Sequence, residues 1–188
     1  MLPDIKLLET IIRDVARQEI LPRFNQIGYE LKSDGSLITE ADLSADREIR
    51  KQLTEHYPHI AYMSEEMPEH EQTALLNDEP EIWCLDPLDG TSNFAAGIPL
   101  FATSLALIVN GEVRIGLSYD VIRDEMFCAI KGQGAWLNNE SLNCKKSLFT
   151  LERSIAIFDF KYLKPELTLR LIKHKPYRSQ RNIGASVL

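Results

Sequence analysis

Trp83-Cys84-Leu85-Asp86-Pro87-Leu88-Asp89-Gly90-Thr91-Ser92-Asn93-Phe94 is an apolar run that stops at two carboxylates and a Gly-Thr step. Ile82 to Leu85 is short, apolar and contains Ile and Trp, so it reads as a buried strand with Asp86 the first residue to leave it. Pro87 fixes its own φ and has no N–H, while Gly90 reaches backbone conformations closed to other residues, so a tight, stiff turn should follow. On that turn Asp86 and Asp89 can face one space. Adjacent carboxylates repel unless a cation sits between them. Their oxygens suit a hard ion such as Mg²⁺, which takes few protein ligands and keeps waters and phosphate oxygens as the others. The N–H groups of Gly90, Thr91 and Ser92 then open a helix, where free donors and the dipole favour an anion. An ordinary Asp-Pro turn before a helix explains any one of these pairs. It does not explain acids, Pro, Gly and Thr together at a strand end.

The same pattern recurs upstream. Ile60-Ala61-Tyr62-Met63 is short and apolar and runs into Ser64-Glu65-Glu66. If the two strands lie side by side, Glu65, Asp86 and Asp89 meet at one sheet edge. The acids that follow, Glu69, Glu71, Asp78, Glu79 and Glu81, read as a solvated loop face. Further towards the N-terminus, Leu8, Ile11, Ile12, Val15 and Ala16 recur at helical spacing over residues 4 to about 21, and Pro22 ends or kinks that helix. Lys32 to Ser36 is rich in turn residues, and Leu37-Ile38 reads as a short strand. Thr39-Glu40-Ala41-Asp42 resembles a capping box with Asp in place of Glu, and Ala45, Ile49 and Leu53 carry the helix to about His56. On this stretch alone Asp42 is a first-turn acid favoured by the dipole.

Downstream of the opening stretch the period changes to that of strands. Phe101 to Val109 is followed by Asn110-Gly111, a hairpin signal, and Val113, Ile115, Leu117, Tyr119 and Val121 alternate beyond it. Met126 to Ile130 gives another strand, and Gly132 and Gly134 precede Ala135-Trp136-Leu137. The result is an antiparallel meander under helices, an α+β layer. Ser154 to Phe160 reads as a strand and Pro165 to His174 as a helix.

The 188 residues are 44% hydrophobic and 26% charged, ordinary values for a globular chain with a sizeable core. Twenty-eight acids against 21 Lys and Arg give a net charge of −7, which argues against direct nucleic-acid binding. Cys84, Cys128 and Cys144 are an odd count without metal-ligand spacing, which points to a reducing, cytoplasmic setting. No stretch reaches the ~20 apolar residues of a membrane span, and the N-terminus lacks the signal-peptide pattern. His56 and His59 do not match zinc-protease spacing and read as surface residues. Ser36, Ser64 and Ser92 lack a nucleophile elbow, and Cys84 lies inside an apolar strand, so covalent catalysis is not expected. Ile183 to Leu188 looks like the opening of a buried element, so the chain is expected to be a piece of a longer one.

Taken together, the motifs resemble the inositol monophosphatase family of Mg²⁺-dependent, lithium-sensitive sugar phosphatases. Asp86 to Phe94 carries the resemblance. Lys32 to Ser36 with Thr39 to Asp42, then Ser64-Glu65-Glu66, then Lys131-Gly132-Gln133-Gly134-Ala135-Trp136-Leu137-Asn138 follow the family order, and Arg181-Asn182-Ile183-Gly184-Ala185-Ser186 is similar to the segment that contacts the sugar. The resemblance implies a layered αβαβα fold, with an N-terminal α+β metal-binding part at 1–145 and the start of a C-terminal α/β part at 146–188. It also implies two or three Mg²⁺ per site. Glu65, Asp86 and the Leu88 carbonyl would hold the first, and Asp86 with Asp89 the second. Thr91 and Asp42, with Glu65, would position and deprotonate the attacking water. Asp89, Gly90, Thr91 and Ser92 would hold the substrate phosphate end, and Gly184 and Ala185 the sugar. The implied substrate is inositol 1-phosphate or a similar polyol phosphate, and the implied assembly a homodimer. Relatives specific for fructose 1,6-bisphosphate, histidinol phosphate or phosphoadenosine phosphate remain open, as does a relative that binds proteins of transcription complexes independently of catalysis. The family's further Asp ligand lies beyond the Gly-Ala segment. If 188 residues were the whole protein, a weakened second metal site and little turnover would be expected.

Overall fold

The apolar run at 82–85 does lie in a strand, but that strand does not stop at Asp86. In the computed structural model, which describes residues 2–26, 28, 30–31, 37–143, 150–160, 163–185 and 187, it runs from Glu81 to Asp89. Opposite it, Asp86 pairs with Ser104 and the next pair is Asp89 with Ala102, so Pro87 and Leu88 together face the single residue Thr103. This is a bulge, the place in a sheet where a residue without an N–H is tolerated. The Thr103 hydroxyl donates to the Pro87 carbonyl at 2.9 Å and fastens it. The turn comes later, at Gly90, whose φ is +93°.

The described chain divides into two units, Met1–Leu142 with Ala185–Leu188, and Asn143–Gly184. In the first, helix α1 (Ile5–Val15) is capped by Asp4, whose carboxylate accepts from the Lys6 N–H at 2.9 Å. It continues through a wide helical turn at Ala16–Ile20 and a tight one at Leu21–Arg23 that contains Pro22. Strands β1 (Glu30–Leu31) and β2 (Leu37–Ile38) pair antiparallel. The turn read at Lys32 to Ser36 lies outside the described residues. Helix α2 (Glu40–His56) follows, with the capping box in place: Asp42 accepts from the Thr39 N–H at 2.8 Å.

Strand β3 (Ala61–Ser64) and helix α3 (Glu69–Asp78) come before β4 (Glu81–Asp89), and helix α4 (Thr91–Ala95) comes after it. Strands β5 (Ala102–Val109), β6 (Glu112–Asp120), β7 (Glu125–Ile130), β8 (Gly134–Leu137) and β9 (Glu140–Leu142) then form the meander. The seven strands lie in chain order, β3 to β9, with β3 parallel to β4 and every later pair antiparallel. One sheet face, with Trp83, Leu85, Leu105, Leu107, Ile115, Leu117 and Cys128, packs on Leu8, Ile11, Ile12 and Val15 of α1 and Ala41, Ala45, Ile49 and Leu53 of α2. Each fully buried Leu or Ile contributes about 1.5–3 kcal/mol, which holds the charged α2 in place better than its intrinsic propensity would.

Two elements depart from the sequence reading. Glu69, Glu71 and Asp78 belong to α3, not to a loop, while Glu79 is its C-cap residue and Glu81 opens β4. That helix buries none of its residues, so it has no apolar period to read, and Glu69 and Glu71 stabilise it by lying in its first turn. Strand β9 follows a turn in which Asn138 and Asn139 both have positive φ, the hairpin geometry that Asn tolerates.

In the second unit, β10 (Ile155–Ile157) pairs parallel with β11 (Ser179–Arg181), and α5 (Pro165–His174) supplies the crossover that parallel pairing needs. The expected strand at 154–160 is thus shorter than read, and the expected helix is present. The fold is α+β, helices on a mixed, mostly antiparallel sheet. No helix among the described residues is long and apolar enough to cross a membrane.

Candidate metal and phosphate site

The parallel pairing of β3 with β4 builds the acidic centre. Ser64 is opposite Leu85, and the Glu65 N–H donates to the Leu85 carbonyl at 3.0 Å. Glu65 therefore leaves β3 where Asp86 follows Leu85, as the paired apolar runs implied. The Asp86 side chain is half-buried and hydrogen-bonded with Glu65. Burial first, then the charges of Glu65 and Asp89, push its carboxyl up to about 8. The Leu88 N–H donates to Asp86 Oδ1 at 3.1 Å, so the bulge also orients this side chain.

Asp42 caps the helix, as its stretch indicated, and also meets Thr91. Its Oδ2 accepts from the Thr39 N–H and hydroxyl, as a helix cap, and its Oδ1 accepts from Thr91 Oγ1 at 3.1 Å. The residue is 1% exposed. Burial raises its pKa, and the hydrogen bonds from Thr39 and Thr91 oppose that rise. Thr91 Oγ1 also lies 3.0 Å from the Leu88 carbonyl, so its one proton is shared between two acceptors.

Thr91 and Ser92 open α4 behind Gly90, as expected, with Thr91 half-buried and Ser92 exposed. Ala185 belongs to the same unit and packs on the turn: a Cβ at Gly90 would lie 3.2 Å from the Ala185 Cβ. The sequence reading missed Val187, whose N–H donates to Asp89 Oδ2 at 2.9 Å and whose carbonyl accepts from Ser118 Oγ at 3.4 Å. Its only signal was the apolar run from Ile183. Asp42, Glu65, Asp86, Leu88, Asp89, Gly90, Thr91 and Ala185 thus all lie in the first unit. Gly184 lies in the second, where its N–H donates to Asn182 Oδ1 at 3.2 Å. His56 and His59 are exposed, as read. Cys84 and Cys128 are free thiols whose pKa burial raises, which disfavours the thiolate form, and Cys144 lies outside the described residues.

Among the described residues no group of three or more His, Cys, Asp or Glu side chains is arranged to hold a metal ion. Glu65 and Asp89 are still near enough to act on Asp86, so the donors brought together are all carboxylate oxygens. Such a set fits a hard divalent ion that keeps waters and substrate oxygens for most of its shell.

The raised pKa of Asp86 has a consequence for stability. Between its ordinary value of 3.8 and about 8, the unfolded chain has lost a proton that the folded chain retains. The contribution of Asp86 to stability is therefore full below its ordinary pKa and is lost as pH rises to 8, by at most about 1.4 kcal/mol per pH unit. Asp42 acts in the same direction. The melting temperature in EDTA should be lower at pH 8 than at pH 5, and millimolar Mg²⁺ should restore it. A metal-free protein that melts higher at pH 8 would contradict this account.

The model of the inositol monophosphatase family matches residues 3–188. An inositol monophosphatase of Dictyostelium discoideum is 38% identical over 128 residues, 66% of this chain and 46% of that protein. The Nus factor SuhB of Pasteurella multocida is 37% identical over 121 residues, 64% of this chain and 43% of that one. The chain spans about half the length of these curated relatives. The crystal structure of the extragenic suppressor protein suhB from Bartonella henselae superposes with a TM-score of 0.81 at 25% identity, over 96% of this chain and 70% of that one.

Proposed function

The chain belongs to the inositol monophosphatase family, and we propose that it serves a Mg²⁺-dependent phosphomonoesterase acting on inositol 1-phosphate or a similar polyol or sugar phosphate, without a phosphoenzyme. The convergence of Glu65 and Asp89 on the half-buried Asp86, beside the Thr91 and Asp42 pair, carries this reading. Glu65, Asp86 and the Leu88 carbonyl would hold one ion, and Asp86 and Asp89 would hold another. When bound, the ions supply acidity to water and neutralise phosphate charge. Thr91 Oγ1 takes a proton from the attacking water as its own proton passes to Asp42 Oδ1. Asp42 is a competent acceptor because burial raises its pKa while Thr39 keeps its carboxylate oriented. The N–H groups of Gly90, Thr91 and Ser92 hold the phosphate, and Ala185, packed on the Gly90 turn, borders the sugar. A cytoplasmic homodimer is the setting we infer from the family.

Phosphate release from inositol 1-phosphate should require Mg²⁺, fall with lithium, and exceed release from fructose 1,6-bisphosphate or nucleotide monophosphates. In Asp89→Asn it should fall by more than the ~10–100-fold that loss of an outer-shell partner costs. Release that persists in EDTA would overturn the reading. The relatives named Nus factor SuhB favour a second reading, protein binding that does not need catalysis. A partner still captured by Asp89→Asn, with phosphatase activity gone, would support it.

A further inference from the structure

Helix α3 has an unusual inner face. Of its ten residues only Gln72 and Leu75 are even half-buried. These positions, three apart, share one side of the helix, where an amphipathic helix would place two apolar residues. Gln72 spends its amide on the loop before the helix. Its Nε2 donates to the Met67 carbonyl at 2.8 Å and lies 3.5 Å from the Glu65 carbonyl.

That loop is fastened at its other end by the Glu65 N–H on the Leu85 carbonyl at 3.0 Å. Within it, the Glu66 N–H donates to Ser64 Oγ at 3.2 Å and the Met67 N–H to the Ser64 carbonyl at 3.1 Å. Glu65 is an exposed residue on this turn. Its side chain is exposed, so the backbone that carries it contributes to its aim toward Asp86. A glutamine suits the clamp because its two N–H donors can serve two carbonyls, and it adds no charge beside Glu65 and Glu66.

We propose that Gln72 is a positioning residue: it clamps the Ser64 to Met67 turn so that Glu65 stays directed at Asp86, and so raises the affinity of the site for a divalent cation. The proposal rests on the metal reading above and goes beyond it by assigning a function to α3.

The test is a Mn²⁺ titration, followed by the spin-resonance signal of the free ion, on the wild type, Gln72→Met, Glu65→Gln and the double variant. Methionine keeps the length and removes the donors. Gln72→Met should weaken the tightest Mn²⁺ site about 3- to 10-fold, less than direct loss of an outer-shell hydrogen bond to a ligand side chain because it acts through backbone. Its melting temperature in EDTA should match the wild type, and the double variant should be no weaker than Glu65→Gln. If Glu65→Gln weakens binding and Gln72→Met does not, the clamp is wrong while the metal site stands. Additive losses in the double variant, or a loss of affinity that tracks a lower melting temperature, also overturn it. If Glu65→Gln binds Mn²⁺ as the wild type does, the metal reading falls and takes the clamp with it.

Discussion

Asp86→Asn should separate stability from function: Mg²⁺-dependent phosphate release is expected to fall by roughly 10³-fold or more, while the metal-free protein becomes more stable at pH 8. Asp86 is the residue on which the other acids converge, and it is the only ligand assigned to both ions. Its removal therefore costs more than loss of Glu65 or Asp89 alone. The opposite effect on stability follows from the same geometry. Near pH 8 the carboxyl is half-buried beside two acids, and ionising it there is unfavourable. An amide of the same shape carries no charge, can still accept from the Leu88 N–H, and can donate toward Glu65. The gain should be roughly 1–3 kcal/mol at pH 8 and should vanish at about pH 3, where the carboxyl is protonated in both states. Urea unfolding in EDTA at the two pH values measures it. A variant that is less stable than the wild type at pH 8 would mean that the acids are not in electrostatic conflict, and would remove the main physical argument for a cation at this site.

The sequence showed most clearly what depends on neighbours in the chain. The apolar run at 82–85, the Asn110-Gly111 hairpin, the α2 cap and the Pro165 to His174 helix all form where local pattern placed them. Where the pattern misled, a distant partner decided the matter. Pro87 looked like the start of a turn because nothing local revealed Thr103, which accommodates it as a bulge. Asp42 is the cap that its local signal indicated, but its contact with Thr91, 49 positions away, was legible only through the family resemblance. The N–H of Val187 reaches Asp89 across 98 positions and leaves no trace in either stretch. Helix α3 was missed for a different reason. Its inward side carries a glutamine that holds a loop, so the hydrophobic period that marks most helices is missing.

Gly90→Ala should destabilise the protein by about 2–4 kcal/mol, because the strain of a left-handed alanine and the cost of overpacking add. The φ of Gly90 is +93°, which disfavours any side chain. The space around it is also closed: a Cβ would meet the Leu100 carbonyl oxygen at 3.0 Å, the Ala185 Cβ at 3.2 Å and the Phe101 Cα at 3.3 Å. Two of these are backbone atoms that cannot rotate away. Gly111 separates the two causes. Its φ is +75°, but nothing lies within 4 Å of the position a Cβ would take, so Gly111→Ala carries the conformational strain alone, about 1–2 kcal/mol. The difference between the two variants in urea unfolding is then the close approach at Gly90. Equal losses would show that the contacts with Leu100 and Ala185 relax freely. The same variant bears on function, since Gly90 joins Asp89 to Thr91. A backbone pushed off Leu100 and Ala185 moves Thr91 relative to Asp42 and Asp89 relative to Asp86, so the fraction of Gly90→Ala that remains folded should also bind Mn²⁺ more weakly than the wild type.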